Sequence, residues 1–496
     1  MRQQSTADKK IRLFHAMGTW KGRKQGGETT HSQQVATADV DVDRRSIFVA
    51  ISSTLLLRIA NRISFVLLGF YLGEHFASAT VIALILESYY VSELLLAPVL
   101  GGLSDRLGRK PLLIVAPLVG VCSSFFLFLS ASLFPHPNGA LLDTRLLLLL
   151  FLLLVGRLCE GATTALNAPA CLGYIADATI GSEKLRAQVM TGFEISTIGA
   201  IALAIPFGGK VSSVLGIWGF FIVIVLHIIN ATIVVFYVKE NVQRALQKNR
   251  QRSLLESFRM LRDKRIRAFL PAWLCINTLI GAWMTLIILL LTYPAREAAL
   301  RHPGQLFYGG SSKELATLLL GGFGLLCLVG LGIWMQLISR MRRTTAMLIG
   351  LFGLGTCIVA LTVLNGLPGK LGDMLTGSNL LFYMLSPFVV IGVLLLSGFL
   401  PASLVQLGAL SETQPNKRGA VMGLYSVVLG IGQLLGASIG GLSADLGGFY
   451  GLMIFSVVLG FIALGGVLFM RIHKHDLISK HADTAVAEAD VAVEIS

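Results

Sequence analysis

The sequence predicts an all-α integral membrane protein of twelve transmembrane helices in two six-helix halves, and three observations carry that prediction. Charged residues make up only 14% of the 496 residues and hydrophobic ones 54%, whereas a soluble chain carries about 25% charge. Apolar runs of the ~20 residues needed to cross ~30 Å of hydrocarbon recur along almost the whole chain. The basic residues behind the formal net charge of +14 gather in alternate connections between those runs, the pattern of membrane topology rather than of a nucleic-acid surface. A soluble enzyme, a disordered chain and a nucleic-acid binder are excluded together.

Residues 1–47 are polar, hold nine Lys or Arg and lack the apolar core of a signal peptide, so they read as a cytoplasmic tail. Spans are expected at 48–73, 79–103, 111–134, 146–177, 186–208 and 216–238, which make the N-terminal half, 48–238. A polar linker, 239–266, follows. Its stretch from Glu256 to Arg262 reads either as a basic amphipathic helix on the inner membrane surface or as a solvated linker helix. Spans at 267–293, 315–338, 344–364, 378–410, 417–443 and 449–470 make the C-terminal half, 267–470, before a second cytoplasmic tail, 471–496. The tenth span contains Pro387 and Pro401, each a predicted kink because proline removes a backbone donor. Connections on the side of the termini hold 32 Lys or Arg against 6 on the other side. Both termini are therefore expected in the cytoplasm, beneath a plasma or inner membrane.

The halves carry traces of duplication. Arg186-Ala-Gln-Val189-Met190 aligns with Arg418-Gly-Ala-Val421-Met422 at an offset of 232, and without a gap Gly208 meets Gly440 and Gly209 meets Gly441. Spans five and eleven then stand in equivalent positions of two parallel halves, an arrangement that supports alternating access around a midplane site.

The loop after the second span reads Gly101-Gly-Leu-Ser-Asp105-Arg106-Leu-Gly108-Arg109-Lys110. It resembles the G-x-L-x-D-R-x-G-R-K loop of the major facilitator superfamily, between the same two spans. The fourth span, with Gly156-Arg157-Leu-Cys-Glu160-Gly161, then Tyr174-Ile-Ala-Asp177 and Arg186, is similar to the family's drug-proton antiporters. The resemblance implies the major facilitator fold and an inner gate in which Asp177 pairs with Arg109. Gly101, Asp105, Arg106, Gly108, Lys110, Arg186 and its repeat counterpart Arg418 complete that gate. Two departures stand out: Ile205-Pro206-Phe207-Gly208-Gly209 is one residue shorter than the antiporter pattern, and the second-half loop Leu337 to Arg343 has lost the acid and the glycine.

Ionisable groups within spans cost at least ~2.5 kcal/mol at mid-helix and need a partner or a water-lined cavity. Here they are Arg58, Arg62, Glu87, Glu93, Arg157, Glu160 and Glu194, all in the N-terminal half. Arg58 and Arg62 are one turn apart, and Arg157, Glu160, Thr164 and Asn167 follow one helical face. Three bases face four acids, so one carboxylate lacks a partner. That makes proton coupling through Glu87 or Glu160 one expectation, substrate binding by the arginine forks another, and a static ion network a third. Milder cavity candidates are Tyr89, Tyr90 and Asn167 in the N-terminal half and Asn277, Trp283, Gln406 and Gln433 in the C-terminal half.

Other features read as packing. The six cysteines fall inside apolar runs without metal-ligand spacing, His227 sits within a span, and Gly432, Gly436 and Gly440 form a small-residue stripe. No nucleotide-binding or catalytic motif is present, so no enzyme activity, cofactor or metal is expected. The reading is a monomeric secondary transporter in the lipid bilayer, working on a small-molecule substrate by alternating access, with proton-coupled efflux of drug-like or amphipathic compounds preferred. Uptake of an organic anion or sugar is the alternative within transport, and a non-transporting receptor or assembly factor the alternative outside it. Asp105→Asn separates the last two: a gate loses flux while the protein still folds, whereas a receptor scaffold is indifferent, as a flux assay beside size-exclusion chromatography will read.

Overall fold

In hydrocarbon the backbone has no water to bond, so apolar segments close their hydrogen bonds internally as helices. The computed structural model describes residues 44–134, 144–178, 183–239, 263–376, 379–412 and 418–475. The Glu256 to Arg262 stretch and most of both tails lie outside them. The first half contains α1 (Arg44–His75), α2 (Ala79–Glu87), α3 (Tyr89–Leu107), α4 (Arg109–Leu133), α5 (Thr144–Ala178), α6 (Glu183–Leu215) and α7 (Gly219–Tyr237). The second contains α8 (Lys264–Thr292), α9 (Ala295–Arg301), α10 (Lys313–Leu337), α11 (Arg343–Asn365), α12 (Leu371–Thr376), α13 (Leu380–Leu396), α14 (Phe399–Glu412) and α15 (Arg418–Ile472). No strand occurs among the described residues.

Among the described residues ten helical runs are long and apolar enough to cross a membrane. Two of them, Gly199–Tyr237 and Val427–Ile472, have 39 and 46 residues, ~58 and ~69 Å of helix, about twice a hydrocarbon core. Each is broken by a glycine in a left-handed conformation, Gly216 at φ 55° and Gly448 at φ 62°. Those breaks account for the two predicted spans that the count of ten lacks. The tenth predicted span breaks at Ser397-Gly398, between α13 and α14, rather than at its prolines. Pro401 has no N–H to offer the Ser397 carbonyl four residues earlier, so the break falls one turn before the residue that causes it. Pro387 stays inside α13.

The duplication is visible as packing. Among the candidate spans those of α1 and α8 are the most buried, with 61% and 72% of their apolar windows covered against 33–44% for the rest. A Cβ built on Gly208 of α6 would stand 3.2 Å from Val66 of α1, and one on Gly440 of α15 would stand 2.8 Å from Ala282 of α8. The next residue in each copy meets the opposite half: Gly209 abuts Thr317 of α10, and Gly441 abuts the Thr80 backbone of α2. Helices in equivalent positions thus use equivalent glycines for equivalent neighbours.

These inter-half contacts lie at the face opposite Arg44 and His475, reached by one crossing from either. There Gly321 and Gly324 of α10 also pack on Pro206 and Ala202 of α6. The connection after α9 is packed as well: Tyr308 stacks on Tyr293 at 5.4 Å, and burial pushes its phenol up to about 12, so it stays neutral.

The small-residue stripe seats α15 against α8, with Gly432 over Asn277, Gly436 over Thr278 and Gly440 over Ala282. His227 is buried against Gly120 of α4. Of the six cysteines, all free, Cys171, Cys275 and Cys357 are buried, whereas Cys122 is exposed on the outside of the bundle. An apolar thiol is as much at home among lipid tails as in a core, so apolar surroundings in sequence do not separate the two.

Backbone atoms of α8 leave no room at Gly436, where a Cβ would meet Thr278 O at 2.1 Å and Ala282 N at 2.7 Å. Gly436→Ala is expected to destabilise by about 1–3 kcal/mol. Gly447→Ala, with nothing within 4 Å, serves as the near-neutral control in thermal unfolding of the purified protein.

Candidate functional site

A polar cluster sits where the second span breaks. α2 ends at Glu87 and α3 starts at Tyr89, with Ser88 turned so that its Oγ donates to Ile85 O at 2.8 Å. The carbonyl of Leu86 accepts from Arg157 Nη2 on α5. Arg157 is 1% exposed, ion-paired through Nη1 to Glu160, and lies 4.8 Å over the Tyr89 ring. One guanidinium therefore satisfies a carboxylate, a carbonyl and an aromatic face.

The glycines flanking this pair make the approach possible. Gly156 admits α4, with Ser123 Oγ donating to Gly156 O at 2.8 Å. Gly161 admits α3 so closely that a Cβ there would stand 2.0 Å from Tyr89 O. Ser92 Oγ on α3 donates to Leu158 O at 2.6 Å. α1 joins through Asn61 Nδ2, which donates to Thr163 Oγ1 at 3.0 Å. The pattern from Gly156 to Gly161 is thus a seam of three helices closed around one buried ion pair.

Glu87 is buried and accepts through Oε1 from Thr285 Oγ1 of α8. This bond runs between the halves at mid-membrane depth. Among the described residues Glu87 Oε2, Arg157 Nε, Asn61 Oδ1 and Asn167 Nδ2 are buried without a hydrogen-bond partner, so the cluster keeps hydrogen-bonding capacity for a proton, water or substrate. Arg58, Arg62, Tyr89 and Glu93 are only partly buried. Arg58 lies 4.7 Å over the Phe193 ring and Arg62 5.8 Å over Phe65. Tyr89 and Tyr90 pack with ring centroids 4.0 Å apart.

The C-terminal candidates occupy different places. Asn277 bonds back to Trp273 O on its own helix at 2.8 Å, and Trp283 Nε1 donates to Ser456 Oγ at 3.0 Å. Gln433 is buried beside Gly281. Gln406 is fully buried at the end of the bundle where the termini lie, accepting from Arg343 Nη1 and donating to His475 O, both at 3.2 Å. The partners described for these four all lie in the C-terminal half. Thr285, which does reach across, has no signal in the sequence beyond being a hydroxyl in an apolar run.

At the expected inner gate, Gly108 turns the chain between α3 and α4 at φ 101°, and a Cβ on Gly101 would stand 3.6 Å from Pro169 Cβ. Arg109 Nη1 donates to Ser104 Oγ at 3.0 Å, and its guanidinium covers Gly173 of α5, where a Cβ would stand 2.5 Å from Cζ. Arg109 thus reaches α5 one turn before Asp177. Lys110 Nζ donates to Val235 O at 2.9 Å, a cation on the last turn of α7 where the helix dipole favours it. The side chains of Asp105, Arg106, Asp177, Arg186, Glu194 and Arg418 lie outside the described part of the structure.

Comparison with known proteins agrees with this architecture. The sequence profile of the Major Facilitator Superfamily matches residues 50–366 and 303–488. The class B tetracycline resistance protein of Escherichia coli is 29% identical over 157 residues, 32% of this chain and 34% of that protein. The class C protein of the same organism is 29% identical over 200 residues, 40% and 45% of the two chains. The chain thus spans from about a third to under half of the length of these curated relatives. Among solved structures, the nucleoside transporter NupG superposes with a TM-score of 0.61 at 13% identity, covering 86% of this chain and 99% of NupG. A D-xylose-proton symporter superposes with a TM-score of 0.54 at 16% identity, over 86% and 96%.

Removing one partner of the buried pair leaves an uncompensated charge. Arg157→Leu is expected to cost about 3–5 kcal/mol in unfolding of the detergent-solubilised protein. Replacing Glu160 by Leu in the same chain should restore most but not all of it, because Leu86 O still lacks its donor.

Proposed function

Since this chain belongs to the major facilitator superfamily, we propose that it is a secondary transporter that exports small drug-like or amphipathic molecules in exchange for protons. Both termini stand on the cytoplasmic side, and the chain works as a monomer. The observation that carries the reading is the bond from Thr285 of one half to Glu87 of the other. Rocking the halves must break it, so the proton affinity of Glu87 depends on which way the protein faces. By reciprocity a proton on Glu87 biases the rocking. Among the described residues its second oxygen has no hydrogen-bond partner, so a proton there disturbs no other contact of the cluster. Arg157 and Glu160 stay paired within one half, and need not part as it moves. The matches to tetracycline resistance proteins support export of such compounds.

One observation favours uptake of an organic anion as a second reading: Arg58 and Arg62 are only partly buried while Glu87 and Glu160 are buried. Paired guanidinium forks suit a carboxylate or phosphate.

Tetracycline movement in proteoliposomes with an imposed pH gradient tests the first reading. Glu87→Gln should abolish gradient-driven accumulation, a loss of about tenfold or more, while tetracycline exchange without a gradient survives. Unchanged coupling in both Glu87→Gln and Glu160→Gln would sink proton coupling at this cluster. A wild-type protein that moves no tetracycline in either assay would remove the export reading.

A further inference from the structure

At the face opposite the termini, the start of α2 is gripped by a side chain of the other half. Asp445 lies in the turn before Gly448, the glycine that divides α15. Its Oδ1 accepts from Ala79 N at 2.6 Å. Its Oδ2 accepts from Thr80 N at 3.1 Å, Thr80 Oγ1 at 2.6 Å and Ser78 Oγ at 2.8 Å. Two of these donors are backbone N–H groups that the first turn of a helix leaves unsatisfied. The negative charge also sits at the positive end of the helix dipole. Four charge-assisted bonds converge on one half-buried carboxylate.

The helix does not need Asp445 merely to begin. Ser78 is already its N-cap, with its Oγ accepting from Val81 N at 3.3 Å. What Asp445 adds is attachment of that helix start to the opposite half. One turn earlier, Gly441 lets the backbones close, since a Cβ there would stand 2.7 Å from Thr80 Cα. The same face carries an ion pair from Lys313 to Glu74 at 2.6 Å and a bond from Arg301 Nη1 to Ala77 O at 3.0 Å. Both of these are solvent-exposed, where such contacts contribute little. Among the described residues Asp445 makes more polar bonds between the halves at this face than any other side chain.

We infer that Asp445 is the latch of the closed face, and that the opening between the halves reaches that face only when its carboxylate leaves the start of α2. The latch rests on the alternating-access reading of the preceding section, in which this face must open and close once per cycle.

The test measures opening directly in the purified full-length protein, without substrate or gradient. Spin labels on cysteines replacing Val214 and Leu300, exposed positions at the end of α6 and on α9, in a background lacking the six native cysteines, report the distance across the face by pulsed electron resonance. Asp445→Asn keeps the shape but loses the charge and one acceptor oxygen. It is expected to raise the long-distance population by about tenfold or more. Removing donors from the other side, Ser78→Ala with Thr80→Val, should shift the distribution the same way, and combining all three changes should add little. The donor-side variant carries the test if Asp445→Asn fails to fold. Unchanged distance distributions in the variants that fold overturn the latch. A protein that opens on release of Asp445 but moves no solute keeps the latch and loses the transport reading. One that moves solute while opening is unaffected loses the latch instead.

Discussion

The constraint behind most of this structure is that a polar group in hydrocarbon has only the protein to bond to. Helices answer it for the backbone, and wherever a helix breaks, something else must take its place. The break at Ser88 shows what that requires. It leaves the Leu86 carbonyl at the end of α2, and the partner is Arg157, itself a charge that the membrane tolerates only when paired. Glu160 supplies the pair and Tyr89 covers the guanidinium. The glycines at 156 and 161 then follow, because α4 and α3 must come within backbone contact for these groups to meet. What reads in sequence as a glycine-rich motif with two charges is one solution to an unsatisfied carbonyl.

The two halves solve their packing in the same way and their electrostatics differently. Gly208 and Gly440 each press against the central helix of their own half, and Gly209 and Gly441 against the other half. The duplication is therefore kept where a neighbouring helix presses on the glycine, since a side chain cannot be added there. It is lost where charge is concerned: all seven intramembrane ionisable residues lie in the first half. The second half contributes hydroxyls and amides, and most of these, such as Asn277 and Gln406, are spent on its own helices.

Much of the fold was legible because hydropathy and span length are local properties. The predicted spans fall on helices, the second and tenth each divided between two and the eleventh and twelfth sharing α15. What escaped was anything fixed by a distant partner. The Ser88 break has neither proline nor glycine to announce it. The Gly216 and Gly448 breaks depend on backbone conformation, which a glycine permits but does not declare. Thr285 and Asp445 meet residues 198 and 365 positions away, and no spacing rule connects them. Gln406 was drawn toward the cavity by polarity alone, while burial put it between Arg343 and His475. In the site, residue types and one helical face could be read, but not which charges were already committed to each other.

The division between committed and uncommitted groups bears on how such a bundle moves. Two states of a rocking protein must lie within a few kcal/mol of each other for small differences in binding to shift them. A buried ion pair spanning the halves would oppose this, because parting it costs about 3–5 kcal/mol before any compensation. The described structure keeps Arg157 and Glu160 on a single helix. Across mid-membrane it places a hydroxyl against a carboxylate, Thr285 on Glu87, a contact worth about 1.5–3 kcal/mol. At the closed face it places backbone and hydroxyl donors on Asp445, groups that water can replace when they separate. The contacts that must break with each movement are those whose loss can be made good, and the one that cannot be made good is carried within a single half.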